Sequence, residues 1–133
     1  KPDRRQRQMC IRDSTKVIGK NDLNKTLEIV SYMSKNSKKY PVPLIVATVY
    51  SFFNKLFVYH SIDNKKEASK ILGINPYFIE EYHQASAFYP MKRISKIFDY
   101  LLEADKRSKG INFDATNSEA ILNDLVYKIF TIT

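Results

Sequence analysis

The sequence predicts an all-α fold, a single bundle of about six helices, and three observations carry that prediction. From Thr15 onward apolar residues recur at three- and four-residue spacings, the period of a helix face. Asn, Asp or Pro precedes these segments, and glycine or a basic turn follows several of them. No convincing strand pattern interrupts the series.

The first helix has Asn21 or Asp22 as its cap and a stripe of Leu23, Leu27, Val30 and Met33, with Ile29 alongside. A polar basic loop, Asn36-Ser37-Lys38-Lys39, ends it. Residues 41–62, PVPLIVATVYSFFNKLFVYHSI, form the central helix, entered through Pro41 and Pro43 in the first turn, where an amide has no partner. Stepping about 100° per residue puts Ile45, Val46, Val49, Tyr50, Phe52, Phe53, Leu56, Phe57 and Tyr59 in an arc of roughly 180°. An apolar stripe that wide implies burial against several neighbours. Ala47, Ser51, Asn54, Lys55 and Val58 occupy the opposite strip.

Asn64 to Glu67 reads as a capping box for a short third helix holding Ala68, Ile71 and Leu72, which Gly73 ends in the left-handed conformation. Asn75-Pro76 restarts a helix with Phe78, Tyr82 and Ala85 inward. Tyr89-Pro90 opens a fifth, with Ile94, Ile97, Phe98, Leu101 and Leu102 on one face. It closes in the basic turn Lys106-Arg107-Ser108-Lys109-Gly110. Thr116 and Glu119 make a second capping box before the last stripe: Ile121, Leu122, Leu125, Val126, Ile129 and Phe130. No internal repeat suggests a solenoid.

At 133 residues and 44% hydrophobic the chain is one globular domain. Residues 1–14, KPDRRQRQMCIRDS, stand apart, without apolar periodicity and carrying five basic and two acidic side chains. The ending MCIRDS resembles a translated sequencing adapter. A disordered or non-native head over 1–14 is therefore expected, followed by a helical domain over 15–133. The chain begins with Lys and reads as a fragment of a longer protein. With +3 of the formal +8 in the head, the remaining charge excess is mild. Cys10 is the single cysteine, which excludes a disulfide framework or a cysteine metal site and fits a reducing, cytoplasmic compartment. Asn54, Lys55 and His60 break the central run below the roughly 20 apolar residues a membrane span needs, so a core helix is expected and no membrane partner.

No GxxxxGKS/T or GxGxxG loop, HExxH or CxxC occurs, and no nucleophile–base pair stands out. No cofactor, metal or catalytic residue is therefore assigned. His60 reads as a hydrogen-bonded core histidine and His83 as part of a solvated helix face. Candidate contacts to DNA or a partner are the basic residues Lys35, Lys38, Lys39, Lys106, Arg107 and Lys109, which also match the dipoles of the helix ends they occupy.

The stretch LGINPYFIEEYHQASAFYP, followed by the apolar helix ending LLEADKRSKG, resembles the C-terminal domain of the bacterial DNA polymerase III delta subunit. That family carries an LG-x-x-P-Y/F turn, a Q-A helix and an L-x-x-x-D-x-x-x-K-G ending. Leu72, Gly73, Pro76, Tyr77, Phe78, Gln84, Ala85, Leu101, Asp105, Lys109 and Gly110 occupy those positions here. Upstream, Ile18 to Asp22 resembles the family's A-I/L-G-K-K-D segment. Residues 36–43 and Tyr50-Ser51-Phe52-Phe53 resemble its N-P-K-x-x-P loop and L-x-S-F-F helix, with Ser37 where proline is frequent.

The resemblance covers residues 15–133 and implies a collar-type helical domain of a clamp loader. Its partners would be the gamma or tau and delta-prime subunits. The sliding clamp would be gripped by a delta region absent from this chain, and DNA would be contacted indirectly or weakly. Delta does not hydrolyse ATP, so the domain would act in assembly, with Ala47, Ser51, Asn54 and Lys55 as a possible subunit contact. A second reading, a stand-alone basic helical DNA-binding domain, requires the six basic residues to converge on one face.

Overall fold

The computed structural model describes residues 11–110 and 115–132, with the backbone alone for 115 and 116. Its seven α-helices are α1 (Ile11–Gly19), α2 (Leu23–Lys35), α3 (Val42–Ser61), α4 (Ala68–Leu72), α5 (Ile79–Phe88), α6 (Met91–Lys109) and α7 (Ala115–Thr131). Single 3-10 turns lie at Lys65–Glu67 and Pro76–Phe78, and no strand occurs among the described residues. The all-α class holds, and the six expected helices are all present.

The seventh helix is α1, which starts inside the segment expected to be a structureless head. Residues 11–14 show no apolar period because the side chains they and Thr15 turn inward are small hydroxyls. Ser14 and Thr15 are buried, and they donate back to the carbonyls of Ile11 and Arg12 at 2.6 and 2.8 Å. A hydroxyl satisfied within its own helix can face a core without an orphaned group. The domain boundary therefore falls at or before Ile11, while residues 1–10, Cys10 included, lie outside the described residues.

The capping chemistry acts locally and largely as expected. Asp22 accepts from the Lys25 amide at 3.1 Å and caps α2, while Asn21 takes the left-handed turn before it (φ 59°). Asn64 accepts from the amide of Lys66 and Asn75 from that of Tyr77, each opening a 3-10 turn that leads into an α-helix. Gly73 is left-handed at φ 69°, and the following amide of Ile74 returns to the Ser69 carbonyl at 3.0 Å, closing α4 as glycine-ended helices close. Gly110 differs: its φ is −96°, so the end of α6 does not need glycine's freedom. Helix α7 is already under way at Ala115, which puts Thr116 inside it and not at a cap; its side chain lies outside the described residues.

Helix α3 is the centre of the molecule, packed by α1, α4, α5 and α6, and α7 packs against both α2 and α6. Its buried side chains are Val42, Ile45, Val46, Val49, Phe52, Phe53, Leu56 and Tyr59. Phe53 and Leu56 retain no exposed surface, and burying a side chain of that size contributes about 1.5–3 kcal/mol. By length and composition α3 is the one helix among the described residues that could cross a membrane, yet this face of it is covered by the protein's own helices.

Three apolar residues depart from the expected inward pattern: Tyr50, Ile71 and Leu102 are 49%, 54% and 54% exposed. Tyr50 and Leu102 border the space left open between α3 and α6. Phe57 and Phe98 are half-buried, their rings 5.9 Å apart across the α3–α6 contact.

Side-chain bonds between distant segments fix the helix packing. Tyr89, fully buried between α5 and α6, donates its hydroxyl to the Ile18 carbonyl at 2.8 Å and so ties α1 to the core. Burial pushes its phenol up to about 12, a cost to the charged form that the Arg93 guanidinium only partly offsets. Arg93 lies over that ring at 4.3 Å and donates to the carbonyls of Phe88 (2.7 Å) and Ile129 (2.9 Å), tying the start of α6 to the end of α7.

Candidate functional site

The outer face of α3 is built as a ridge between two grooves. Ala47 and Asn54 are exposed on its crest and Ser51 is half-buried beside them. On one flank, a groove of about 500 Å³ runs between α3 and α6, bordered by Pro43, Ala47, Tyr50, Phe98, Leu102 and Asp105. On the other, a groove of about 410 Å³ lies between α3, α1 and the segment from Ile74 to Tyr82, with Thr48, Ser51, Lys55 and Phe78 on its walls. Ala47 borders both. A small residue on the crest and open space at each side let another helix approach closely, the geometry of ridges packed into grooves.

Lys55 does not point outward as the helical wheel implies. It is half-buried, and its ammonium donates to the Ser51 hydroxyl at 2.9 Å within the second groove. Val58 is likewise half-buried. Of the expected outward strip, Ala47 and Asn54 are exposed, while Ser51 and Lys55 form a bonded pair on the groove wall. The opposite wall carries Arg12, which pairs with Glu81 at 2.7 Å and lies over the Phe78 ring at 3.8 Å. Arg12 falls in the segment expected to be a head, and nothing in its sequence surroundings marks it as structural.

The two segments that carry the basic residues lie near one another, although they are almost 70 positions apart. Lys35 ends α2, and Lys38 and Lys39 lie in the turn that the Tyr40 amide closes on the Asn36 carbonyl at 2.9 Å, directly before α3. Pro43 in the first turn of α3 shares a groove with Leu102 and Asp105 in the last turns of α6. The α2–α3 loop and the end of α6 therefore occupy the same end of the bundle. All six basic residues are exposed there. Arg107 bonds Asp124 at 2.8 Å and Lys109 bonds Asp105 at 2.8 Å. Hydrogen bonding from Lys128, reinforced by Arg107, holds the Asp124 carboxyl below its ordinary range. Lys128 is raised in turn by its bonds to Glu103 and Asp124. These pairs lie at the surface, where such bridges contribute little to stability.

Both histidines are hydrogen-bonded. The Nε2 of half-buried His60 donates to the Tyr89 carbonyl at 2.7 Å, in keeping with a core role. His83 is exposed, and the Tyr59 hydroxyl lies 2.9 Å from its Nδ1. Burial, with Glu80 adding to it, raises the Tyr59 phenol above its ordinary range. Among the described residues no group of three His, Cys, Asp or Glu side chains could hold a metal ion. The ring-nitrogen bonds described for His60 and His83 go to the Tyr89 carbonyl and the Tyr59 hydroxyl, while the Ser86 hydroxyl donates to the His83 backbone carbonyl and not to its ring.

A scan against protein-family models, a search of curated proteins and a search of solved structures each find no match to this chain.

Proposed function

We propose that this domain assembles a clamp loader: the collar-type domain of a delta subunit of bacterial DNA polymerase III, which joins delta to the gamma or tau and delta-prime subunits. The observation that carries the reading is the outer face of α3, a small-residue ridge flanked by two grooves on the helix that otherwise forms the core. It lies in the same chain as the delta-like order of motifs. The two turns of the LGINPYF segment also have definite structural duties, since Gly73 supplies the left-handed end of α4 and Asn75 caps the 3-10 turn that leads into α5. A role in loading the sliding clamp onto DNA carries a cytoplasmic location with it, and no chemistry falls to this domain.

The test is co-purification. The folded chain, mixed with gamma or tau and delta-prime subunits, should elute with them on size exclusion. Ser51→Arg should abolish that while the chain still melts cooperatively; losing the Lys55 acceptor and setting a second cation beside that ammonium should cost about 1 kcal/mol, or roughly 4 °C in the melt. A folded wild-type chain that recovers no loader subunit refutes the reading. If Ser51→Arg assembles normally, the contact lies on another face.

A further inference from the structure

We propose that the groove between α3, α1 and the segment 74–82 binds a small aromatic carboxylate, its anionic end held by Lys55 and Ser51. Both residues also belong to the proposed subunit contact, but this inference does not rest on the clamp-loader reading. Among the described residues only two lysines are half-buried, Lys55 and Lys128, and every other one is exposed. Lys128 has two carboxylates to face, Glu103 at 2.9 Å and Asp124 at 3.0 Å. Lys55 has no carboxylate within ion-pair distance among the described residues, and its hydrogen bond goes to the neutral Ser51 hydroxyl at 2.9 Å.

An ammonium drawn partly out of water is costly unless an anion offsets it. Its own helix supplies none. The neighbours of Lys55 three and four residues away are Ser51, Phe52, Val58 and Tyr59, and no Asp or Glu occurs between Glu28 and Asp63. Glu81 is the carboxylate on the groove's walls, and it already holds Arg12 at 2.7 Å. That pair is balanced, so the groove is left with one positive charge.

The donors set where a ligand's charge would sit. Ser51 accepts from Lys55, which leaves its own hydroxyl hydrogen to donate, and the ammonium keeps two further N–H groups. They stand within about one turn of α3 and match the two oxygens of a carboxylate. Thr15 and Thr48, also on the walls, spend their hydroxyl hydrogens on the carbonyls of Arg12 (2.8 Å) and Leu44 (2.9 Å) in their own helices. One uncompensated charge selects a monoanion over a phosphate dianion. Away from the charged end the lining is Ala47, Ile74 and the rings of Phe52, Phe78 and Tyr82, with Phe52 and Tyr82 stacked at 5.2 Å and 29°. Stacked ring faces suit a flat apolar group. A volume of about 410 Å³, with mostly apolar walls and a few convergent polar groups, is that of a small-molecule site.

The experiment is an NMR titration of the isotope-labelled whole chain with naphthoate. Two comparison ligands accompany it: naphthylmethylamine, which has the ring with the opposite charge, and acetate, which has the carboxylate without a ring. Naphthoate should saturate at millimolar concentration or below and move the amides of Ser51, Lys55 and Phe78, with each comparison ligand at least tenfold weaker. Lys55→Met keeps the stem and removes the charge, and should weaken naphthoate about tenfold or more. Lys96→Met, exposed on α6, makes the same change in net charge and should leave the affinity unchanged. The three-ligand comparison on the wild-type chain decides the charge requirement even if Lys55→Met does not fold. The chain is titrated alone, so the result is independent of whether it joins loader subunits. Failure to saturate, shifts confined to Tyr50 and Leu102 in the other groove, amine or acetate bound as tightly as naphthoate, or equal losses from the two variants each overturn the proposal. So does a peptide ending in phenylalanine bound tenfold tighter than naphthoate, which would make the groove a receptor for a protein C-terminus.

Discussion

Replacing Tyr89 with Phe removes one buried hydroxyl and leaves the ring in its packing. The hydroxyl donates to the Ile18 carbonyl at 2.8 Å, and the side chain has no exposed surface. That carbonyl also accepts from the Asn21 amide at 2.9 Å, so it keeps one partner in the variant. The loss at pH 8 should therefore be about 1 kcal/mol, the lower part of the range for a deleted buried hydrogen bond. The alkaline limb is the sharper test. An unfolded tyrosine titrates near pH 10, and the folded Tyr89 phenol is pushed up to about 12. The folded-state value is the raised one, so the neutral phenol's contribution is complete below pH 10 and is lost as pH rises through 12. Two pKa units correspond to about 2.7 kcal/mol, of which about 1.4 kcal/mol has gone by pH 11. The other eight tyrosines ionise in both proteins. Urea midpoints at pH 8, 10 and 11 should show Tyr89→Phe less stable at first, then equal or slightly more stable at pH 11. Parallel stability curves across that range refute the claim that this hydroxyl is buried and neutral.

Arg93→Ala should cost about 2 kcal/mol, since it leaves the Phe88 and Ile129 carbonyls without their donor. Arg93→Lys should recover less than half of that, because an ammonium cannot span both carbonyls as the guanidinium does; full rescue by Lys in a denaturant titration would contradict the geometry. Gly73→Ala meets no atom within 4 Å, so its expected loss of about 1 kcal/mol comes from the left-handed backbone alone. A melt unchanged by that substitution would mean that α4 ends in some other conformation.

Local chemistry made most of the fold legible. The caps Asp22, Asn64 and Asn75 and the left-handed Gly73 act through neighbours within a few residues, so their partners were already in the sequence window. The 3.6-residue stripes of α2, α6 and α7 needed only a helix and a core to bury them. Where a stripe was wide, the wheel over-assigned: Tyr50 and Leu102 point into the open groove between α3 and α6, because burial depends on where the neighbouring helix lies. Helix α1 escaped for the opposite reason, since its inward residues Ser14 and Thr15 are polar and satisfied by their own backbone.

What the sequence determined by itself is the all-α class, the order of α2 to α7 and which face of α3 forms the core, all consequences of spacing along one chain. Long-range partners were decided by tertiary structure alone. Nothing near Tyr89 or Arg93 indicates that one holds the Ile18 carbonyl and the other the end of α7. Lys55 reads as an outward charge; its bond to Ser51, four residues back on the same helix, is local, and what the fold adds is the groove wall that half-buries the pair. The two basic groups were visible as residues, but their arrival at one end of the bundle depends on α3 and α6 lying side by side with Pro43 near Asp105. Charge in a sequence is a list, and it becomes a surface only when packing decides which cations share a side and which carboxylates are left to face them.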